Sequence, residues 1–160
     1  MKQNIILALV VINLSVTGLL VYDSQFADER AYQAFNINDL PELITENERE
    51  RIFVGFVDYY NNGNKASLRP LLSPVGAQYL DSGEMDKALE EGRKGIPEIG
   101  GGHFRNSEFI EESNGIKVFR LSYDVVFPKE NKKGVLNIVL EIYSSKYYIA
   151  NFFVYSEDNA

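Results

Sequence analysis

The chain has 160 residues, a net charge of −7, one histidine and no cysteine. The missing cysteines exclude disulfides, thiol catalysis, iron–sulfur ligation and lipidation at cysteine, and a single histidine excludes a histidine-rich metal site. An acidic chain is repelled by phosphate backbones, so nucleic-acid binding is not expected.

The residues from Ile5 to Tyr22 carry no charge, and every acidic residue follows Tyr22. A helix of that length spans about 27 Å, close to the hydrocarbon core of a bilayer. The run ends in Leu19, Leu20, Val21 and Tyr22. These residues are bulky, unlike a cleavage site, and a tyrosine suits a membrane interface. Lys2 precedes the run, whereas Asp23, Asp28 and Glu29 follow it. That bias places the N-terminus in the cytoplasm and the body outside. Residues 1–22 are read as a transmembrane anchor, with a cleaved signal and secretion as the alternative. Residues 23–44 form a stalk or linker, with a break around Asn36, Asn38, Asp39 and Pro41.

Thr45 and Glu48 make a capping box ahead of a helix in which Ile52, Phe53, Phe56, Val57 and Tyr60 recur at helical spacing. Asn61-Asn62-Gly63 ends it. Two short helices follow, separated near Ser73-Pro74, and another starts from Asp81 and Glu84 and ends near Gly92 or Gly95. Gly100 to Gly102 mark a linker into the strand half.

The remainder predicts strands. The first runs from His103 to a hairpin signal at Ser113-Asn114-Gly115. In the second, Phe119, Leu121, Tyr123, Val125 and Phe127 share one face, and Arg120, Ser122 and Asp124 line the other. In the third, Leu136, Ile138, Leu140 and Ile142 share a face. In the last, strict alternation puts Tyr147, Ile149, Phe153 and Tyr155 together, interrupted by Asn151, and puts Tyr148, Ala150, Phe152 and Val154 opposite. Both faces of that strand are apolar, so both need cover. Tyr148, Phe152 and Val154 are therefore the candidate interface to a protein partner, a second copy or the stalk. The fold class is α+β, with helices packed on one face of a curved antiparallel sheet.

The stretch FVDYYNNGNKASLRPLLSPVGAQYLDSGEMDKALEEGRKG carries a resemblance to the nuclear transport factor 2-like superfamily, of the cystatin-like cone shape. Its marks are the Asn61–Asn64 turn, Leu71–Pro74 and Asp81–Glu84, and it covers about Thr45 to Ser156, within a domain at 45–160. The resemblance implies a pocket between the first helix and the sheet, and the candidate ligand-binding residues are Phe56, Tyr60 and Tyr123. It implies no particular chemistry, because such cones serve isomerases, dehydratases, ligand binders and assembly proteins. Asp58 and Asp124 are the right type for a pocket acid, but alternation turns Asp124 away from Tyr123, and Asp58 suits a solvated carboxylate. His103, alone after three glycines, suits a surface residue better than a general base. No catalytic residue, metal site or cofactor is assigned.

The expected function is that of a bacterial inner-membrane, single-pass protein with a periplasmic binding or assembly module. The alternative is a small-molecule binder or an isomerase/dehydratase-type enzyme using the cone pocket.

Overall fold

The computed structural model describes residues 40–96 and 98–157. The anchor or signal reading of residues 1–22, and the stalk up to residue 39, lie outside the described residues. Among the described residues no helix is long and apolar enough to cross a membrane.

Among the described residues four α-helices, with a 3-10 turn at Arg69–Leu71, precede four strands: α1 (Glu46–Asn62), α2 (Lys65–Leu68), α3 (Pro74–Asp81), α4 (Glu84–Gly95), β1 (Gly102–Ser113), β2 (Ile116–Phe127), β3 (Lys132–Tyr143) and β4 (Lys146–Glu157). The Thr45 side chain accepts the Glu48 N–H and starts α1, and Gly63, in the left-handed region at φ 68°, ends it. The capping box is only half made. The Glu48 carboxylate turns away from the cap and accepts from Arg51 and from the Tyr147 hydroxyl. A charged donor and a phenol outcompete one solvated backbone N–H.

The break near Ser73-Pro74 is where the sequence places it: Ser73 caps α3 and Pro74 fills its first turn, where a missing N–H costs nothing. Asp81 does not start α4. It ends α3 and pairs with Arg69 at 2.8 Å, and Glu84 opens α4 after Gly83.

The strands form one antiparallel sheet in the order β1-β2-β3-β4. Asn114 and Gly115 both have positive φ, as a two-residue hairpin turn requires. The three glycines lead from α4 into β1 as expected, but they also make close contacts. Gly100 and Gly101 exchange backbone hydrogen bonds with Val126, and a Cβ on Gly102 would stand 2.5 Å from the Asp124 carbonyl. Gly100 and Gly102 are small for lack of room, whereas a Cβ on Gly101 would meet nothing within 4 Å.

The helices cover one sheet face. Phe53 of α1 stacks on Tyr123 of β2 at 5.0 Å between ring centres, and Phe56 meets Phe152 of β4 at 4.5 Å. Leu121, Leu136, Ile138 and Leu140 supply the sheet side of this core.

Strict alternation fails in β4. Val139 pairs with Asn151, but Leu140 pairs with Ile149, so β4 carries one extra residue at Ala150-Asn151. The Asn151 side chain accepts the Phe152 N–H at 2.8 Å. Beyond this bulge the faces exchange. Tyr147, Ile149, Phe152 and Val154 face the helices, and Tyr148, Phe153 and Tyr155 face outward.

Candidate functional site

Two regions carry the sequence-derived candidates: the interior under α1 and the outer sheet face.

The interior is packed. Phe56, Tyr60 and Tyr123 are 0%, 3% and 2% exposed. Phe56 lies between Phe152 and Tyr60, and Tyr123 between Phe53 and Phe104. Each phenol is spent on the protein: Tyr60 donates to the Ile96 carbonyl at 2.6 Å, and Tyr123 donates to the Arg49 carbonyl at 3.0 Å. Tyr59, which periodicity did not single out, is fully buried and donates to Asp86 at 2.8 Å. Burial pushes the Tyr60 hydroxyl up to about 12, and pushes Tyr59 and Tyr123 further. All three stay protonated at neutral pH and tie α1 to α4 and to the sheet. The structure thus brings the three pocket candidates into one core, as fillers of it.

No acid converges on them. Asp58 sits at the surface, accepting from Asn62 at 2.9 Å and Asn64 at 2.6 Å, which hold its carboxyl below its ordinary range. Asp124 is on the other side of the sheet, bonded to Arg105 at 2.5 Å and to His103 at 3.1 Å. His103 itself is 78% exposed.

Three positioning contacts were missed by sequence reasoning, because each joins residues far apart in the chain. Arg93 of α4 donates to the carbonyls of Tyr59 and Tyr60. It thereby supplies the positive charge that the last turn of α1 lacks. The Asn61 side chain both donates to and accepts from the Ile99 backbone, at 2.7 and 2.9 Å. Tyr147 joins Arg51 and Glu48, pinning the start of β4 to α1. Burial, then Glu48, push its hydroxyl up to about 12. Among the described residues no group of three or more histidine, aspartate or glutamate side chains is placed to hold a metal ion.

The outer face is different. Val126, Tyr143 and Tyr155 stand exposed on it, at 44%, 60% and 45%, whereas only Val54 and Val75 are comparably exposed among the large apolar side chains of the helices. Val118, Val139, Tyr148 and Phe153 are half-buried beside them, and Val135 and Asn137 at the centre are buried. Glu141 lies among Val118, Val139 and Tyr148 with no ion pair among the described residues, and burial pushes its carboxyl up. Of the three interface candidates, Tyr148 is on this face. Phe152 and Val154 are not: the bulge turns them to the helices, where Phe152 is 5% exposed.

No family model matches the chain. No curated protein matches it. Among solved structures it is similar to a designed chain of the nuclear transport factor 2-like type, Rd1NTF2_05 in a substituted form. The identity is 17%, the match covers 69% of this chain and 99% of that one, and the TM-score is 0.35. Such a likeness carries no functional argument. The class rests on the architecture itself: α+β, helices on a four-stranded antiparallel sheet, consistent with the nuclear transport factor 2-like plan.

Proposed function

We propose that this protein is a membrane-anchored binding or assembly module of the bacterial cell envelope, with a nuclear transport factor 2-like domain that contacts its partner through the outer face of the sheet. The observation that carries the reading is the contrast between the two faces. The inner face is buried and its phenols are bonded to the protein, while the outer face carries the exposed Val126, Tyr143 and Tyr155 side chains. Apolar surface gathered on one face marks a contact surface. The uncharged run from Ile5 to Tyr22 supports the anchor, and the acidic residues that follow it support an extracytoplasmic body.

The test is cross-linking of the full chain in membranes, followed by an alkaline carbonate wash. The expected result is a full-length chain in the washed pellet, in a cross-linked species larger than the monomer. Tyr155→Asp is expected to abolish that species and leave the chain in the membrane. A soluble, shortened chain recovered as monomer would refute both parts.

A further inference from the structure

The two edges of the sheet differ in how they meet solvent. β1 is one edge and β4 the other. An edge strand presents a row of unpaired backbone N–H and C=O groups, and folded proteins blunt such edges with charges and bulges. β1 follows that rule. It carries His103, Arg105, Glu108, Glu111 and Glu112, and its register breaks between Phe104 and Asn106 and again between Phe109 and Glu111. β4 follows it only in its first half. Lys146 opens the strand, Leu72 lies parallel beside Ile149, and the bulge sits at Ala150-Asn151. From Phe152 to Ser156 the edge has no charge, no proline and no break in register. Among the described residues no strand pairs with the free side of that stretch.

We propose that Phe152–Ser156 pairs antiparallel with the same stretch of a second copy of this chain, about a two-fold axis normal to the sheet at Val154, so that the two sheets join edge to edge. The inference rests on the reading of this domain as an assembly module. It adds a contact to that reading and leaves the outer face open.

Three observations support it. First, the stretch is complementary to itself, as an isologous contact must be. The axis sets Val154 against the partner's Val154, Phe153 against the partner's Tyr155, and Phe152 against the partner's Ser156. An axis normal to the sheet keeps each face on its own side, so Phe153 and Tyr155 meet on the outer face and the two valines on the inner one. No charge opposes a like charge, and an aromatic cross-strand pair forms on either side of the axis. Second, the pairing gives Tyr155, which is 45% exposed, the lateral neighbour that an edge strand lacks. Third, only an extended backbone matches the edge. Alternate N–H and C=O groups turn away from β3 over about 17 Å of strand, and an uncharged run of aromatic and β-branched residues is the composition that pairs there. A contact of five residues is small. Two copies anchored in one membrane, as proposed above, meet at a raised effective concentration that offsets this.

The experiment is disulfide trapping, in a chain that has no cysteine of its own. Facing Cα atoms of an antiparallel pair lie about 4.5–5.5 Å apart, within the span that a disulfide bridges. Val154→Cys, on the axis, is expected to give a covalent dimer of the full chain in mild detergent with a mild oxidant. Val118→Cys, on the outer face, is expected to give none. Circular dichroism confirms that each variant is folded. Sedimentation velocity is expected to show a wild-type dimer, with its dissociation constant raised about tenfold by Tyr155→Lys, which removes both aromatic pairs. Hydrogen exchange needs no substitution: the amides of Phe152–Ser156 that turn from β3 are expected to gain protection as the chain is concentrated. A chain that stays monomeric overturns the inference, as does a dimer that Val154→Cys does not trap. Full protection of those amides in the monomer would put a segment of the same chain on the edge, and overturns it too. Trapping through Val118→Cys alone, or a monomer that still cross-links to another envelope protein, overturns this inference and leaves the module reading standing.

Discussion

The bulge in β4 decides which of two adjacent phenylalanines supports the core, and a pair of substitutions reads the answer directly. Phe152 is 5% exposed, with its ring 4.5 Å from that of Phe56. Phe153 pairs with Asn137 on the outer face and is half-buried. Truncating a buried phenylalanine to alanine removes its transfer energy and leaves a cavity, at a cost of about 3–5 kcal/mol. Truncating the half-buried Phe153 forfeits only part of its apolar burial, about 1 kcal/mol. A urea slope of about 2 kcal/mol per molar turns these into midpoint shifts of about 2 M for Phe152→Ala and about 0.5 M for Phe153→Ala. Equilibrium urea unfolding at low protein concentration, where association adds little, measures both. Uninterrupted alternation makes the opposite prediction, with Phe153 inside. A larger shift for Phe153→Ala, or equal shifts, would refute the bulge and with it the assignment of the two faces.

The other predictions concern the contacts that set the ends of the core. Asn61→Ala removes both hydrogen bonds to the Ile99 backbone and is expected to cost about 1–3 kcal/mol. Amide exchange at Ile99 should speed up in that variant, and unchanged protection there would show that the clamp is idle. Gly134→Ala would drive a Cβ into the Tyr155 carbonyl and the Phe127 ring and is expected to cost about 1–3 kcal/mol by overpacking, read as a lowered thermal midpoint. Tyr60 and Tyr147 are both pushed up to about 12 from an ordinary value of 10.0. Their burial therefore contributes stability that is complete below pH 10 and lost as the pH rises toward 12, because only the unfolded chain ionises in that window. Ultraviolet titration of the phenols alongside denaturant unfolding checks this. Stability that holds level from pH 10 to 12 would contradict it.

Much of the fold is legible locally. Thr45 before an acidic first turn, Gly63 after α1, Ser73-Pro74 before α3 and Asn114-Gly115 between β1 and β2 each act within a few residues, through a backbone angle or one hydrogen bond. The period-two runs of β2 and β3 likewise declare their faces, because the pleat leaves them no other choice. The uncharged opening from Ile5 to Tyr22 is a property of sequence alone.

What the tertiary structure decided depends on which distant group arrives at each place. Glu48 follows the rule for a capping box until Tyr147, on a strand 99 residues away, gives it a better partner. Gly100 to Gly102 have the composition of a linker, yet they lie against the Asp124–Val126 backbone, and Gly100 and Gly102 are small for lack of room. Tyr60 and Tyr123 have the composition of a pocket, but Ile96 and Arg49 take their hydroxyls. In β4 a single extra residue, opposed by none on β3, turns Phe152 inward and Phe153 outward. Local sequence encodes angle, period and charge; it does not encode the register against a neighbouring strand, and in a sheet one residue of register exchanges the core for the surface.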